Sequence, residues 1–333
     1  MRPIWFGIGA SFLFASSFIL NRSMELSGGS WLWSASLRYL FMLPLLLLLV
    51  AGRKNMLPLL QEMKRNPRAW LLWSTIGFGL FYAPLCFAAA YSPGWLTAAT
   101  WQITIVSGTL LVPFFYETLA TPEGPRKVRR KLPRMPLALS GLILIGIALM
   151  QAEHAGALTL RESLFGVIPV LVASVAYPLG NRKMMEHCGG RLDAFQRVLG
   201  MTVASLPVWL ALAAYGWISA GPPSIGQVGG SLTVAVCSGV IATLLFFHAT
   251  DLAQGSMQQL AGVEATQSME VLFVVVVELL LGSPLPTAVS WIGMLLVMLG
   301  MVLQSYATSL SSGHLQASGQ RTASRRAAGR ERG

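Results

Sequence analysis

The chain has 333 residues, 54% of them hydrophobic and only 11% charged, with a formal net charge of +11. Soluble domains carry roughly 25% charged residues, so this composition cannot build a water-facing surface and excludes an ordinary soluble enzyme. Three cysteines (Cys86, Cys188, Cys237) lack CxxC spacing and argue against a disulfide or zinc framework, and the basic excess must be explained by its placement.

A helix crossing about 30 Å of hydrocarbon needs about 20 mostly apolar residues. In chain order, such stretches fall at 3–21, 31–51, 70–91, 95–116, 136–152, 164–181, 194–218, 231–251, 256–281 and 287–306. The fold class predicted is therefore an all-α polytopic membrane protein with ten transmembrane helices. The first stretch has only Arg2 ahead of it and recurs later in the chain, so it reads as retained rather than as a cleaved signal. Basic residues then sort by side. Twenty of the 24 fall at the amino terminus, in the loops after spans 2, 4 and 6, and in the tail; the opposite loops hold only Arg22 and Arg161. This asymmetry predicts both termini in the cytoplasm and gives the net charge a bilayer face, not a nucleic-acid partner. The Ser/Gly/Arg-rich segment 307–333 is expected to be a disordered basic tail.

The halves resemble each other at a nearly constant offset. Phe6-Gly7 matches Phe165-Gly166, Asn21-Arg22 matches Asn181-Arg182, and Arg38-x-Leu40 matches Arg197-x-Leu199, all offset by 159 or 160. Ala88, Gly94, Ser107 and Glu117 match Ala249, Gly255, Ser268 and Glu278 at 161. After a longer basic loop, Gly141 and Gln151 match Gly293 and Gln304. The division expected is a five-helix repeat over 1–152 and a second over 153–306. Five is odd, so the second repeat enters the bilayer inverted, an arrangement typical of transporters with a midplane site.

With five-plus-five spans, Arg-x-Leu early in spans 2 and 7, a Glu closing spans 4 and 9, and Gly-rich fifth and tenth helices, residues 3–306 resemble the drug/metabolite transporter superfamily. Within it the chain is most similar to the ten-span, EamA-like multidrug-resistance efflux transporters. The resemblance implies a bacterial inner-membrane carrier, driven by a proton gradient or by exchange. It also implies a central cavity ringed by spans 1, 3, 4, 6, 8 and 9.

Ionisable groups inside a span are costly unless paired or hydrated, so each is a candidate. Glu264 and Glu270 lie deep in span 9. At about 100° per residue, Glu264 shares a face with Gln267, Ser268 and Val271, and these polar neighbours favour it as the proton- or cation-binding carboxyl. The competing reading is a carboxyl that only hydrogen-bonds neighbouring helices. Span 4 offers Trp101 and Gln102 instead of an acid, so an aromatic face beside a carboxylate could hold an organic cation. Tyr82, Tyr177 and Asn181 are further candidate cavity residues. By depth, Arg38 pairs with Glu278 outside and Arg197 with Glu117 inside, as two gates or as structural ion pairs. His248 and Asp251, at i, i+3 in span 8, form a relay or an interfacial cap. Pro44, Pro84, Pro113, Pro169, Pro178 and Pro207 predict kinks within spans.

No HExxH, GxSxG or helical Asp pair is present, so neither catalysis nor a metal is expected, and no cofactor. The function predicted is a secondary active exporter of small organic, drug-like cations by proton antiport with alternating access. An exporter or exchanger of amino acids or other metabolites, or a channel or scaffold, is the alternative. The partners expected are a small-molecule substrate, protons and the bilayer, for a chain complete as a monomer.

Overall fold

A backbone in hydrocarbon must satisfy its own N–H and C=O groups, and a helix does so within one segment. Long apolar runs accordingly become helices in the computed structural model, which describes residues 2–53, 56–121, 124–129, 132–155, 159–253 and 257–307. In chain order these are α1 (Arg2–Leu26), α2 (Trp31–Gly52), α3 (Met56–Arg65), α4 (Pro67–Ser74) and α5 (Leu80–Ala89). Then come α6 (Gly94–Trp101), α7 (Ile103–Leu110), α8 (Arg134–Ala155), α9 (Leu160–Cys188) and α10 (Ala194–Ala220). The last are α11 (Ile225–Val234), α12 (Thr243–Ala253), α13 (Met257–Ala265), α14 (Met269–Leu280) and α15 (Ala288–Ala307).

Local sequence sets the starts. Ser30 and Ser224 accept from main-chain N–H groups of α2 and α11, and Asn66 does so at α4. Reciprocal capping boxes open α9 (Thr159 with Glu162) and α10 (Asp193 with Gln196). Gly189, at φ 54°, terminates α9 in the left-handed region.

Among the described residues, eight segments are long and apolar enough to cross a membrane: α1, α2, α4–α5, α8, α9, α10, α11–α12 and α15. Two of these contain a π-helical turn, Thr75–Gly79 between α4 and α5 and Ala235–Ala242 between α11 and α12. The remaining two predicted spans are helical but interrupted. The stretch 95–116 is split at Gln102 into α6 and α7, then closes in a 3-10 turn, Val112–Phe114. The stretch 256–281 is split by a 3-10 turn, Thr266–Ser268, into α13 and α14. Each piece alone is too short to span. The all-α expectation holds for the membrane-length segments, and the strands lie outside them. The basic loop after α7 holds an antiparallel hairpin, β1 (Tyr116–Thr121) with β2 (Gly124–Arg129), in which Tyr116 faces Arg129. Pro113 accordingly lies in the 3-10 turn outside an α-helix, whereas Pro44, Pro84, Pro169, Pro178 and Pro207 lie within helices.

Packing is reciprocal between the halves. α1 packs against α11–α12, α13 and α14, while α9 packs against α4–α5, α6 and α7. α2 pairs with α10 antiparallel: Trp33 Nε1 near the start of α2 donates to Gly221 O just past the end of α10 (2.9 Å). α8 and α15 are also antiparallel, joined at one end by Ser290 Oγ to Glu153 (2.6 Å) and at the other by Ser140 Oγ to Gln304 (3.1 Å). Their crossing is made by glycine, since a Cβ on Gly146 would stand 2.5 Å from Gly293 O and one on Gly293 2.7 Å from Gly146 O. A similar approach seats α9 on the first π-helical turn, where a Cβ on Gly180 would stand 2.3 Å from Gly77 Cα.

Candidate substrate and proton site

The helices meeting at the centre bring together a cation, an acid and a ring cluster between them. Arg38 on α2 is only 7% exposed. It donates from Nη1 to Ser17 Oγ on α1 (3.3 Å) and from Nη2 to Ser238 Oγ in the second π-helical turn (3.1 Å). Ser17 Oγ donates in turn to Ser238 Oγ (2.7 Å). The guanidinium carbon lies 4.1 Å from the Tyr82 ring centroid, a cation–π distance. Tyr82 is locked by Asn21 on α1, whose amide donates to Tyr82 Oη (3.0 Å). On the other side Tyr39 stacks on Trp209 of α10 at 4.2 Å and 6°.

From Tyr82 the rings continue to Phe81, which contacts Trp101 of α6 (5.0 Å) and Tyr177 of α9 (4.7 Å). Trp101 and Tyr177 meet edge to face at 5.6 Å. Tyr177 keeps 39% of its surface exposed despite these contacts, so the ring cluster borders open space. It stands within electrostatic reach of both Arg38 and Glu270. Next along the chain from Trp101, Gln102 sits at the break between α6 and α7; its amide donates to Ala98 O (3.1 Å), and its side chain stands close enough to Glu270 to act on that carboxyl. Glu270, in the first turn of α14, is 6% exposed.

The face predicted for span 9 does not hold together. Gln267 reaches α1, donating to Ser11 Oγ (3.1 Å), and Ser268 turns back to Ala265 O (2.7 Å). Glu264 is exposed, within electrostatic reach of Arg182, while Val271 is fully buried. The cause is local. A 3-10 turn advances about 120° per residue, so an α-helical projection fails across 266–268. Of the two acids, Glu270 faces the ring cluster's helix.

Of the predicted ion pairs, Arg38 with Glu278 is replaced by other contacts. Arg38 does not reach Glu278. Glu278 instead accepts from the main-chain N–H groups of Gly94 (2.8 Å) and Trp95 (3.1 Å), capping α6. The other side of that turn is held by Arg22, whose Nη1 donates to Ala89 O and Ala90 O (both 2.9 Å) at the end of α5. A helix start attracts an anion and a helix end a cation, so the tight connection 90–93 recruits both charges. Sequence marks Arg22 only through the recurrence of Asn-Arg at 21–22 and 181–182, which assigns it no role. Arg197 lies near Tyr177, Cys188 and Asp193, whereas Glu117 is a strand residue paired with Val128 and its side chain lies outside the described residues. His248 packs edge-on against Phe6 (4.9 Å), and the Asp251 side chain is likewise outside the described residues. Asn181 donates to Tyr177 O within α9 (2.9 Å). Among the described residues no three His, Cys, Asp or Glu side chains converge as a metal site.

Two repeated glutamines, Gln151 and Gln304, reach the broken helix pair, donating to Thr100 Oγ1 of α6 (2.7 Å) and Thr109 Oγ1 of α7 (2.8 Å). Ser17 and Ser238, which complete the Arg38 site, are small polar residues in apolar runs that nothing in the sequence distinguishes from their neighbours, and Asn21 is marked only by the recurrence of Asn-Arg.

Comparison with known proteins places this arrangement in a family. The chain is 56% identical over 309 residues to the protein YjlA of Bacillus subtilis (strain 168), covering 92% of this chain and 95% of that one. It is 50% identical over 270 residues to a 42.1 kDa protein encoded in the 3' region of the intracellular alkaline protease of Shouchella clausii, covering 81% and 70%. A solved crystal structure shares the fold, with a TM-score of 0.58 over 90% of this chain and 95% of that one at 14% identity. The family model EmrE, "Putative multidrug resistance efflux transporter", matches residues 1–310. With membrane-length helices throughout and a family match over nearly its whole length, the chain is a multi-pass membrane protein of the EmrE family of multidrug resistance efflux transporters, of the drug/metabolite transporter type.

Proposed function

We propose that the protein is a secondary active exporter of small organic compounds bearing a cationic group, exchanged for protons by alternating access. The observation that carries this reading is Glu270, a buried carboxyl at the break of one interrupted helix, facing Gln102 at the break of the other. A carboxyl in a span is costly to ionise without a partner, so proton and cationic substrate compete for it. Interrupted helices free main-chain groups at membrane depth and are where carriers build their sites. Trp101, Phe81 and Tyr177 supply the apolar wall for the substrate body. Glu264, more open and near Arg182, is assigned to the entry path, with Gln267 and the Thr266 carbonyl holding the break against Ser11 of α1, and Ser268 closing the turn on Ala265 O.

Ten spans in two inverted repeats remain our reading of the architecture. The antiparallel pairing of α2 with α10 and of α8 with α15 supports it, as does the reciprocal packing of α1 and α9. The π-helical turns begin at Thr75 and Ala235, 160 positions apart, which is the sequence offset of the repeat. Such a pair can exchange conformations and open one site to either side of a bacterial inner membrane. Protons, the substrate and lipid are the partners proposed, for a monomer with both termini cytoplasmic.

Proteoliposomes with an imposed pH gradient test the mechanism. Glu270→Gln is expected to abolish gradient-driven flux of a lipophilic cation such as tetraphenylphosphonium, whereas Glu264→Gln slows it. Undiminished gradient-driven flux in Glu270→Gln removes the proposed proton site.

A further inference from the structure

Among the described residues, Arg38 is a buried cation with no anion in contact. Its hydrogen-bond partners, Ser17 and Ser238, are neutral hydroxyls, its face lies on the Tyr82 ring, and its Nε has no partner. Among the described residues no carboxylate contacts it, and Glu278 is already engaged by two main-chain N–H groups. An unneutralised guanidinium within a span is among the costliest groups a membrane protein can keep. Nor is it loosely placed. Tyr39 is stacked on Trp209, Tyr82 is tied to Asn21, and two serines from separate helices hold the guanidinium nitrogens. A fork held this firmly, with a donor to spare, is preorganised for a planar anion.

We infer that Arg38 binds the carboxylate of the transported compound, which is a zwitterion whose ammonium group faces Glu270 and whose apolar body lies on Phe81, Trp101 and Tyr177. This rests on the transport reading above and narrows it from organic cations to compounds bearing both charges. The ring path runs Tyr82, Phe81, then Trp101 and Tyr177, with the cation at one end and the acid beyond the other. Tyr177, exposed toward open space, senses both charges. A simple cation would satisfy Glu270 and leave Arg38 unpaired; a simple anion would do the reverse. A zwitterion neutralises both at once, and its own two charges are then desolvated only where each has a partner. Ser17 already gives its proton to Ser238 Oγ, while Ser238, which accepts from both Ser17 and Arg38, can turn its own proton to a second carboxylate oxygen.

The test uses three probes of one shape with the full-length protein in detergent: phenylalanine, its methyl ester and its N-acetyl derivative. Binding is followed by thermal shift and isothermal titration, and each probe is then used in the flux assay. Phenylalanine is expected to bind about tenfold more tightly than either derivative, the scale of a single charge-assisted hydrogen bond. Arg38→Gln should bring acid and ester to within about twofold of each other, and Arg38→Lys, which keeps the charge without the fork, should fall between. An ester that binds wild type as well as the acid overturns the assignment without needing any variant, as does failure of all three to bind. If the ester is nonetheless pumped by the pH gradient, the exporter reading survives and only the role of Arg38 falls. If no probe and no lipophilic cation is pumped, the exporter reading itself fails.

Discussion

Glu278 illustrates how single residues divide between structure and transport. Its carboxylate accepts from the first two N–H groups of α6, with Arg22 holding the carbonyls on the far side of the same turn. Glu278→Ala is expected to cost about 1–2 kcal/mol of stability, as the loss of a charged helix cap does. Thermal unfolding in detergent reads it out; an unchanged midpoint would mean the cap contributes nothing. Sequence inspection found Glu278 and Arg38 as exceptional charges but paired them by depth. Depth along a helix leaves the azimuth free, and the azimuth decided that Glu278 turns to α6 and Arg38 to α1 and the second π-helical turn. The same limit applies at Glu264 and Glu270. Their presence in span 9 was legible, but their facing depended on a 3-10 turn that no composition announces.

At the scale of elements, glycine sets which helices can touch. Gly180 lets α9 lie on the first π-helical turn with its Cβ position 2.3 Å from Gly77 Cα, closer than any side chain permits. Gly180→Val is therefore expected to destabilise the fold by about 1–3 kcal/mol or more. Expression yield and unfolding midpoint should both drop, and a midpoint equal to wild type would refute the close approach. Outside the spans, α3 is tied to the connection before α10 by Arg191, which donates from Nε and Nη2 to the two oxygens of Glu62 (2.8 and 2.7 Å). That bidentate hydrogen bond holds the Glu62 carboxyl below the ordinary carboxylate range. A depressed carboxyl stabilises the fold fully above its unfolded pKa, near about 4.3, and the contribution is lost as pH falls through the lower folded value. Between about pH 7 and pH 3 the wild-type unfolding midpoint should therefore decline more than that of Glu62→Gln. Parallel declines would show that the pair does not couple folding to protonation.

Over the whole molecule, the packing of α1 and α9 and the antiparallel pairs α2 with α10 and α8 with α15 are the observations on which the proposed pair of inverted repeats rests. The topology proposed for them makes a definite prediction about sides. A fluorescent-protein fusion after Ala307 should fluoresce and an alkaline phosphatase fusion there should be inactive, while phosphatase fused in the connection 27–30 should be active. The opposite pattern would invert the orientation, and with it the side from which Glu270 is proposed to receive protons.

Composition together with apolar runs of about 20 residues established a multi-pass helical membrane protein, because a backbone in hydrocarbon must satisfy its own polar groups and runs of that length fit helices, not the shorter strands of a barrel. Apolar run lengths located the eight membrane-length helices found among the described residues to within a few residues at most ends, for the same reason that bilayer thickness fixes helix length. The recurring motifs were also legible as letters, whatever their roles. What only the tertiary structure decided was where helices break and which side chains meet. Gln102, the turn Thr266–Ser268 and the two π-helical turns arise from packing against neighbours, and the hairpin after α7 from pairing within a basic loop. Serines and an asparagine scattered over separate helices converge on Arg38 and Tyr82 only once those helices are stacked. Hydrophobicity reports how much of a segment is buried, but not against what, and the site depends on the second.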